Sequence, residues 1–361
     1  MNPIDYRELH DTTTGAPLTF EAPPAVRSEP TPDKILRLGL AFQASKTLLS
    51  AIELGVFTEL AKQPLDADAL TARLALHGRG ARDFFDALVA LGMLDRTDGV
   101  YRNTAESDRF LDRAKPTYVG AMLELADARL YRFWRSLTQA LKSGQPQNEA
   151  RGGGDFYRAL YADPVQLRKF LKGMTGLSLG TARAMAKKFP FREYRTVVDV
   201  GTAEGALPVE LCLEHRHLRG GGFDIAACAP LFDEYVAGFG LAERLRFHGG
   251  DFFADPLPRA DVLIMGHILH VWSRDEKRML IGKAFDALPS GGSLIVYDAI
   301  IDDDRRSNVY GLLSSLNMLI ETKAGFDYTG ADCITWMRDA GFRHTRVEHL
   351  LGSDSMVIGV K

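Results

Sequence analysis

TVVDVGTAEGALPVE, residues 196–210, changes character at a glycine. The first part, TVVDV, is short and β-branched, which suits a strand buried on both faces. From Ala206 the apolar spacing becomes helical. Between the two, Gly201 and Gly205 frame a turn of the kind that lets backbone approach a ligand and aims helix N–H groups at it. Position 203 is Ala, so the G-x-G-x-x-G dinucleotide fingerprint is incomplete and a nicotinamide reading is weakened. Taken alone, a G-x-x-x-G turn is equally well explained by strand-to-helix geometry.

The segments downstream repeat the pattern. GGFDIA, LRFHGGDFF, ADVLIMG and SLIVYDAI are short and apolar, and helical stretches of about ten to fifteen residues separate them. This alternation predicts βα units on a parallel sheet. RHTRVEHLL and SDSMVIGVK, turning at Gly352 and Ser353, predict an antiparallel hairpin at its edge. The expected fold class is α/β, a Rossmann-like seven-stranded, mostly parallel sheet with an antiparallel C-terminal hairpin. Asp224 ends the second strand, 19 residues after Gly205, where an acidic residue takes ribose hydroxyls. Asp251 ends the third and faces an adenine amino group in this reading, with Phe252 covering the ring. Three such tips at one sheet edge point to a nucleoside site.

Upstream, residues 1–32 are polar and proline-containing and read as an extended arm. ILRLGLAFQASKTLLSAIELGVFTELA, DADALTARLAL and RDFFDALVALGMLDR carry helical periodicity, and GVYRNTAESDRFL reads as a small β-hairpin with Tyr101 on one strand. Three helices closed by a hairpin predict a winged-helix-like unit over 33–115. A mostly helical region, 116–190, leads into the α/β domain at 191–361, interrupted by a loop at SGQPQNEARGGG.

With 361 residues and a formal net charge of −3, the chain lacks the basic excess of a nucleic-acid or anionic-membrane binder. Cys212, Cys228 and Cys333 form no CxxC pair, which argues against a disulfide framework and for a reducing compartment. The N-terminal residues lack a basic start followed by an apolar run, and no uncharged stretch of about 18 apolar residues predicts a membrane span. A soluble cytoplasmic protein is expected.

The order D-V-G-x-x-x-G, G-F-D, G-D-F-F, ILHVW and LPSGGSLIVYD resembles a class I S-adenosylmethionine-dependent methyltransferase. More narrowly, it resembles the caffeic acid and acetylserotonin O-methyltransferase family, whose N-terminal winged-helix dimerisation domain is matched by SAIELGVFTELA and YRNTAESDRFL. The resemblance covers about residues 35–361. It implies S-adenosylmethionine as cofactor, a small aromatic acceptor of secondary metabolism, a homodimer through the N-terminal domain, and neither nucleic acid nor membrane as partner. The cofactor would be held by Asp199, Gly201, Glu204, Gly205, Asp224, Ile225, Asp251, Phe252 and Gly266. The family turn is D-x-G-G-G-x-G, so Thr202, Ala203 and Glu204 depart from it inside the loop. Glu204 is left either to bond the cofactor's ammonium or to point at solvent.

GHILHVW, residues 266–272, ends the fourth strand on the crevice side. A phenol titrates near 10, so a base with a value near 6.5 suits its deprotonation, and histidine is the natural candidate. The family pattern is L-H-D-W, whose histidine is the general base, and that role falls on His270. Asp298 and Asp327 match the acids that orient it. His267, Met174, Asn317 and Met318 match acceptor-pocket positions. Val271 stands where the family keeps Asp, which leaves a substrate needing less activation, C- or N-methylation, or drifted chemistry open beside O-methylation; a separate rival keeps the fold and cofactor for non-methylating cyclase or decarboxylase chemistry. The i, i+3 histidine pair has no third ligand at clear spacing, so no metal is expected. A DNA-binding regulator is the least favoured reading, because RDFFDALVALGMLDR carries too little positive charge for phosphate contacts.

Overall fold

Thr196–Val200 (β4) runs down the middle of a seven-stranded sheet in a computed structural model that describes residues 30–115, 117–149 and 160–361. Parallel to it on one side lie β5 (Arg219–Asp224) and β6 (Leu245–Gly249), and on the other β7 (Val262–Gly266) and β8 (Ser293–Asp298). The hairpin β9 (Arg343–Leu351) and β10 (Asp354–Val360) completes the order β6-β5-β4-β7-β8-β10-β9, with β10 antiparallel to β8. The expected α/β class and its C-terminal hairpin are therefore found.

Period-two alternation sends successive strand residues to opposite faces. Val197, Ile264, Ile295 and Ile358 pack beneath the helices Ala206–Glu214 and Ala229–Gly238 and the end of the long helix Pro164–Lys188. Val198, Leu263, Leu294 and Val357 pack on the other face, under Arg274–Ala287 and Gly330–Asp339. Every one of these eight side chains is at most 2% exposed. The two-sided burial explains why these strands read as continuous apolar runs.

The N-terminal unit has its own core, built on Phe57, Leu70, Phe85, Leu88 and Tyr101. Its small sheet differs from the expected hairpin. Val100–Asn103 (β3) pairs with Leu94–Thr97 (β2) and with Leu65–Asp66 (β1), whereas Ala105–Leu111 is a helix. The reason is local: Thr104 caps that helix by accepting from the Ser107 N–H. The strand β2 was hidden at the end of an apolar helical run. The extended arm read at 1–32 lies outside the described residues, apart from its last three.

Asp33–Leu54 is long and apolar enough by composition to cross a membrane, which the sequence reading did not expect. It breaks into two helices at Leu40, and Ile35, Leu36, Leu38 and Phe42 are exposed on it.

The turn after β4 keeps Gly201 and Gly205 at φ +79° and +88°, and it also holds Ala203 at +54°. A left-handed alanine costs roughly 1–2 kcal/mol, part of which a glycine gives back through the greater freedom of the unfolded chain. Ala203→Gly is accordingly expected to raise stability by about 0.5–1 kcal/mol in urea denaturation. A destabilised variant would contradict this account of the turn.

Candidate active site

At its C-terminal end β7 stops abruptly. A Cβ on Gly266 would lie 2.0 Å from the Tyr297 ring, so only glycine fits between β7 and β8 there. His267 follows in a left-handed conformation, φ +53°, its N–H donating to the Tyr297 carbonyl. One turn of 3-10 helix, Leu269–Val271, then presents His270. Leu269 is fully buried, Trp272 packs edge-on against Phe253 at 4.5 Å, and Ser273 with Glu276 forms a capping box. Both histidines are thus held on rigid backbone.

Carboxylates from three other segments converge on them. Asp298, at the end of β8, is 1% exposed; its Oδ1 lies 3.5 Å from His267 Nδ1 and 3.8 Å from His270 Nδ1. Its Oδ2 accepts from the Tyr328 hydroxyl. Asp327 Oδ1 lies 3.3 Å from His270 Nδ1. The loop carrying Asp327 crosses the His270 turn so closely that a Cβ on Gly325 would sit 2.5 Å from the Val271 carbonyl. Asp354, at the start of β10, faces His267 Nε2 at 3.4 Å and accepts from Thr181 at 2.8 Å.

The two histidines differ electrostatically. Burial disfavours a charge on His267, but hydrogen bonding to Asp298 and Asp354 outweighs it and raises the imidazole to about 10. Burial likewise opposes ionisation of Asp354, yet His267 pulls it below its ordinary value. His267 is therefore an imidazolium clamped between two carboxylates, its ring nitrogens already engaged. His270 has its Nδ1 toward Asp327 and Asp298, and its Nε2 is not taken by a partner among the described residues. His267, His270 and Asp298 offer ligand atoms within 4.8 Å of one another, but a cation there would first have to displace the His267 proton.

The nucleoside side of the crevice is built from the tips of β4, β5 and β6. Asp224 accepts from the N–H groups of Ala203 and Ile225, one on each oxygen, leaving lone pairs of both oxygens for further donors. Burial pushes Asp199 up to about 7, with Asp224 nearby adding to the effect. Glu204 is 9% exposed, so it does not point at solvent; burial raises it while Lys172 and Arg168 pull it back. The Thr202 hydroxyl is buried facing Asp199, whose rise it opposes, and makes no hydrogen bond of ordinary geometry among the described residues. Asp251 lies beyond the end of β6 and accepts from the Phe253 N–H, which leaves Phe252 packed against Trp272 at 5.8 Å. Open carboxylates, a glycine turn and a buried hydroxyl fit a nucleoside carrying hydroxyl, amino and carboxylate groups.

Asn317 and Met318 lie on the helix Val309–Glu321, which packs against the His270 turn, and Met174 lies two helical turns before Thr181 on Pro164–Lys188. Asn317 Oδ1 accepts from the Trp134 indole at 2.9 Å. Arg129, on a π-helical turn at Ala126–Leu130, pairs with Glu149 and with Glu321, tying this wall together. Sequence reasoning missed Trp134, Asp354, Tyr328 and Lys277. Two of these left a signal: Asp354 is a charge opening the apolar strand DSMVIGV, and Lys277 is a charge on a helical face otherwise made of Leu280, Ile281 and Ala284.

Comparison with known proteins matches residues 134–343 to the O-methyltransferase domain and 36–113 to the O-methyltransferase dimerisation domain. The chain is 46% identical to the tetracenomycin polyketide synthesis 8-O-methyl transferase TcmO of Streptomyces glaucescens, over 91% of this chain and 97% of the relative. It is 35% identical to the N,N-dimethyltransferase OxyT of Streptomyces rimosus, covering 91% and 96%. Human N-acetylserotonin methyltransferase in complex with SAM superposes with a TM-score of 0.84 at 28% identity, over 93% of this chain and 99% of that one.

A histidine raised by its partners contributes stability that is fully present below its ordinary value of 6.5 and is lost as pH rises through about 10. The melting temperature is accordingly expected to fall between about pH 7 and pH 10. In His267→Asn, most of that fall should vanish. The same slope in the variant would show that His267 is not the charged group.

Proposed function

The chain belongs to the O-methyltransferase family and carries that family's dimerisation domain, and from this premise we propose that it methylates a phenolic hydroxyl of a polyketide-type aromatic, with His270 as general base. The cofactor is S-adenosylmethionine. The observation carrying the base assignment is the unequal pairing of the histidines: His267 is closed on both sides, whereas His270 keeps Nε2 open. The acceptor class rests on the likeness to the tetracenomycin enzyme.

When bound, S-adenosylmethionine supplies an electrophilic methyl group on a positively charged sulfur, a leaving group that needs no protonation. In this reading Asp224 takes the ribose hydroxyls. Asp251, Phe252 and Ile225 surround the adenine, while Gly201, Gly205, Gly266, Asp199 and Glu204 receive the amino-acid end. Positioning of the two reactants and removal of the phenol proton are left to the protein. Asp327 accepts the His270 Nδ1–H, which fixes the tautomer with its lone pair on Nε2. As the phenol loses its proton to Nε2, the imidazolium formed lies 3.3 Å from Asp327 and 3.8 Å from Asp298. Beforehand, among the described residues, the cations set against the carboxylates of Asp298, Asp327 and Asp354 are His267 and Lys277. Taking up the proton balances the cluster, so the charge that develops in the reaction is the one the site lacks.

Met174, Asn317 and Met318, with Trp134, wall the acceptor side, and Asn317 owes its orientation to the indole. His267 serves this wall as a fixed charge behind the pocket rather than as a proton acceptor. Residues 33–115 act as the dimerisation unit, 116–190 as the pocket-forming connection and 191–361 as the cofactor-binding domain. The exposed apolar helices at Asp33–Leu54 are the surface a second copy would cover, an arrangement suited to a soluble, cytoplasmic homodimer.

One observation favours a second reading. The relative at 35% identity is named an N,N-dimethyltransferase, and Val271 removes an acid beside the base. An amine attacks with a free lone pair and needs no base in the transition state. Purified protein with methyl-labelled cofactor should therefore be screened against hydroxylated naphthoates and anthraquinones and their amino analogues. Label is expected in a phenolic product, and His270→Gln is expected to lower kcat by about 10²–10⁴. Turnover of amines only, insensitive to His270→Gln, would replace the O-methylation reading with the second.

A further inference from the structure

Lys277 has no exposed surface at all. It lies on the helix Arg274–Ala287, on the face that buries Leu280, Ile281 and Ala284. Its ammonium donates to the Trp272 carbonyl and sits 3.5 Å from the centre of the Phe326 ring and 5.6 Å from that of Tyr328. Those contacts bracket the site from beneath. Trp272 is two residues beyond His270, and Phe326 and Tyr328 flank Asp327 in the chain. Tyr328 in turn donates to Asp298.

Packing alone does not account for a lysine here. An apolar side chain of similar length would fill the space without the cost of desolvating an ammonium. One carbonyl and two ring faces return only part of that. The remaining favourable partners are the charges of Asp298 and Asp327, and of Glu276 on its own helix.

We propose that Lys277 is a positioning residue for the transfer: its ammonium ties the His270 turn to the Asp327 loop, and its charge offsets Asp298 and Asp327 so that His270 stands in its proton-accepting form. The inference rests on the reading of His270 as base. The charged groups facing Lys277 are Asp298, Asp327 and Glu276, with Arg274 opposing them. Those around His270 are Asp298, Asp327, His267 and, more distantly, Asp354. Burial lowers the Lys277 ammonium to about 8, which still leaves it charged at neutral pH.

Removing the cation leaves three carboxylates against His267 alone, which favours a protonated His270. Two measurements on the full-length protein test this. The first follows the His270 imidazole by NMR titration in wild type, Lys277→Met and Lys277→Gln, with His270→Gln assigning the signal. The His270 midpoint is expected to move to higher pH by roughly half a unit to one unit in both variants. The second is the pH profile of kcat/KM with whichever acceptor of the panel above turns over. Its acid limb should move the same way, and kcat should drop by roughly tenfold in Lys277→Met. Glutamine keeps a neutral donor on a slightly shorter side chain, so its kcat should fall less while its midpoint shifts as far. An unmoved His270 midpoint in a folded variant overturns the proposal. A moved midpoint with a fixed acid limb instead removes His270 as base, and the catalytic meaning of Lys277 with it.

Discussion

Three carboxylates drawn into one corner of a sheet edge repel each other, and the site is organised around holding them there. Asp298, Asp327 and Asp354 are all nearly buried, come from different segments, and have few protein donors to share. Asp327 Oδ2 has no hydrogen-bond partner among the described residues, and Asp298 Oδ1 has only the long ion-pair contacts to His267 and His270. Such groups persist only where fixed positive charge stands close by. His267 supplies one charge, reached by forcing a non-glycine residue into left-handed backbone. Lys277 supplies another from inside the apolar core. The strained residue and the buried cation answer the same electrostatic demand.

Much of the frame was legible in the chain because it follows from periodicity. Val197 and Val198, or Ile264 and Leu263, point to opposite faces by strand geometry alone, and apolar runs between helical stretches announce two-sided burial. The glycine turn was equally readable, since Gly201 and Gly205 do adopt positive φ. What escaped was whatever depends on distance in space. Asp354 lies 87 residues after His267, and Thr181, which orients it, lies 86 residues before. No local pattern links them. The wing of the N-terminal unit was misplaced for a different reason: β2 follows directly on a helix of similar composition, and only the Thr104 cap marks where the second half turns helical.

Val271 looks less anomalous in three dimensions than in the chain. The acids that face the His270 ring are carried by β8 and by the Gly325–Asp327 loop, so orientation of the imidazole does not rest on its neighbour in sequence. The backbone of residue 271 matters more than its side chain here, because its carbonyl is what Gly325 must clear. A resemblance scored position by position registers the missing aspartate as a loss. The geometry records instead a site whose acids are all remote in sequence.

Strand order has a consequence for how such a site comes into being. β10 enters between β8 and β9, and its first residue, Asp354, is the last of the site's groups in chain order. Until that strand arrives, β8 has an open edge, and His267 lacks one of the two carboxylates that make it a cation. A chain emerging from its N-terminal side can complete the dimerisation unit and lay down β4 to β8 with the crevice only half wired. The contact between His267 and Asp354 is thus made by the last strand of the chain, and it closes the sheet and the site together.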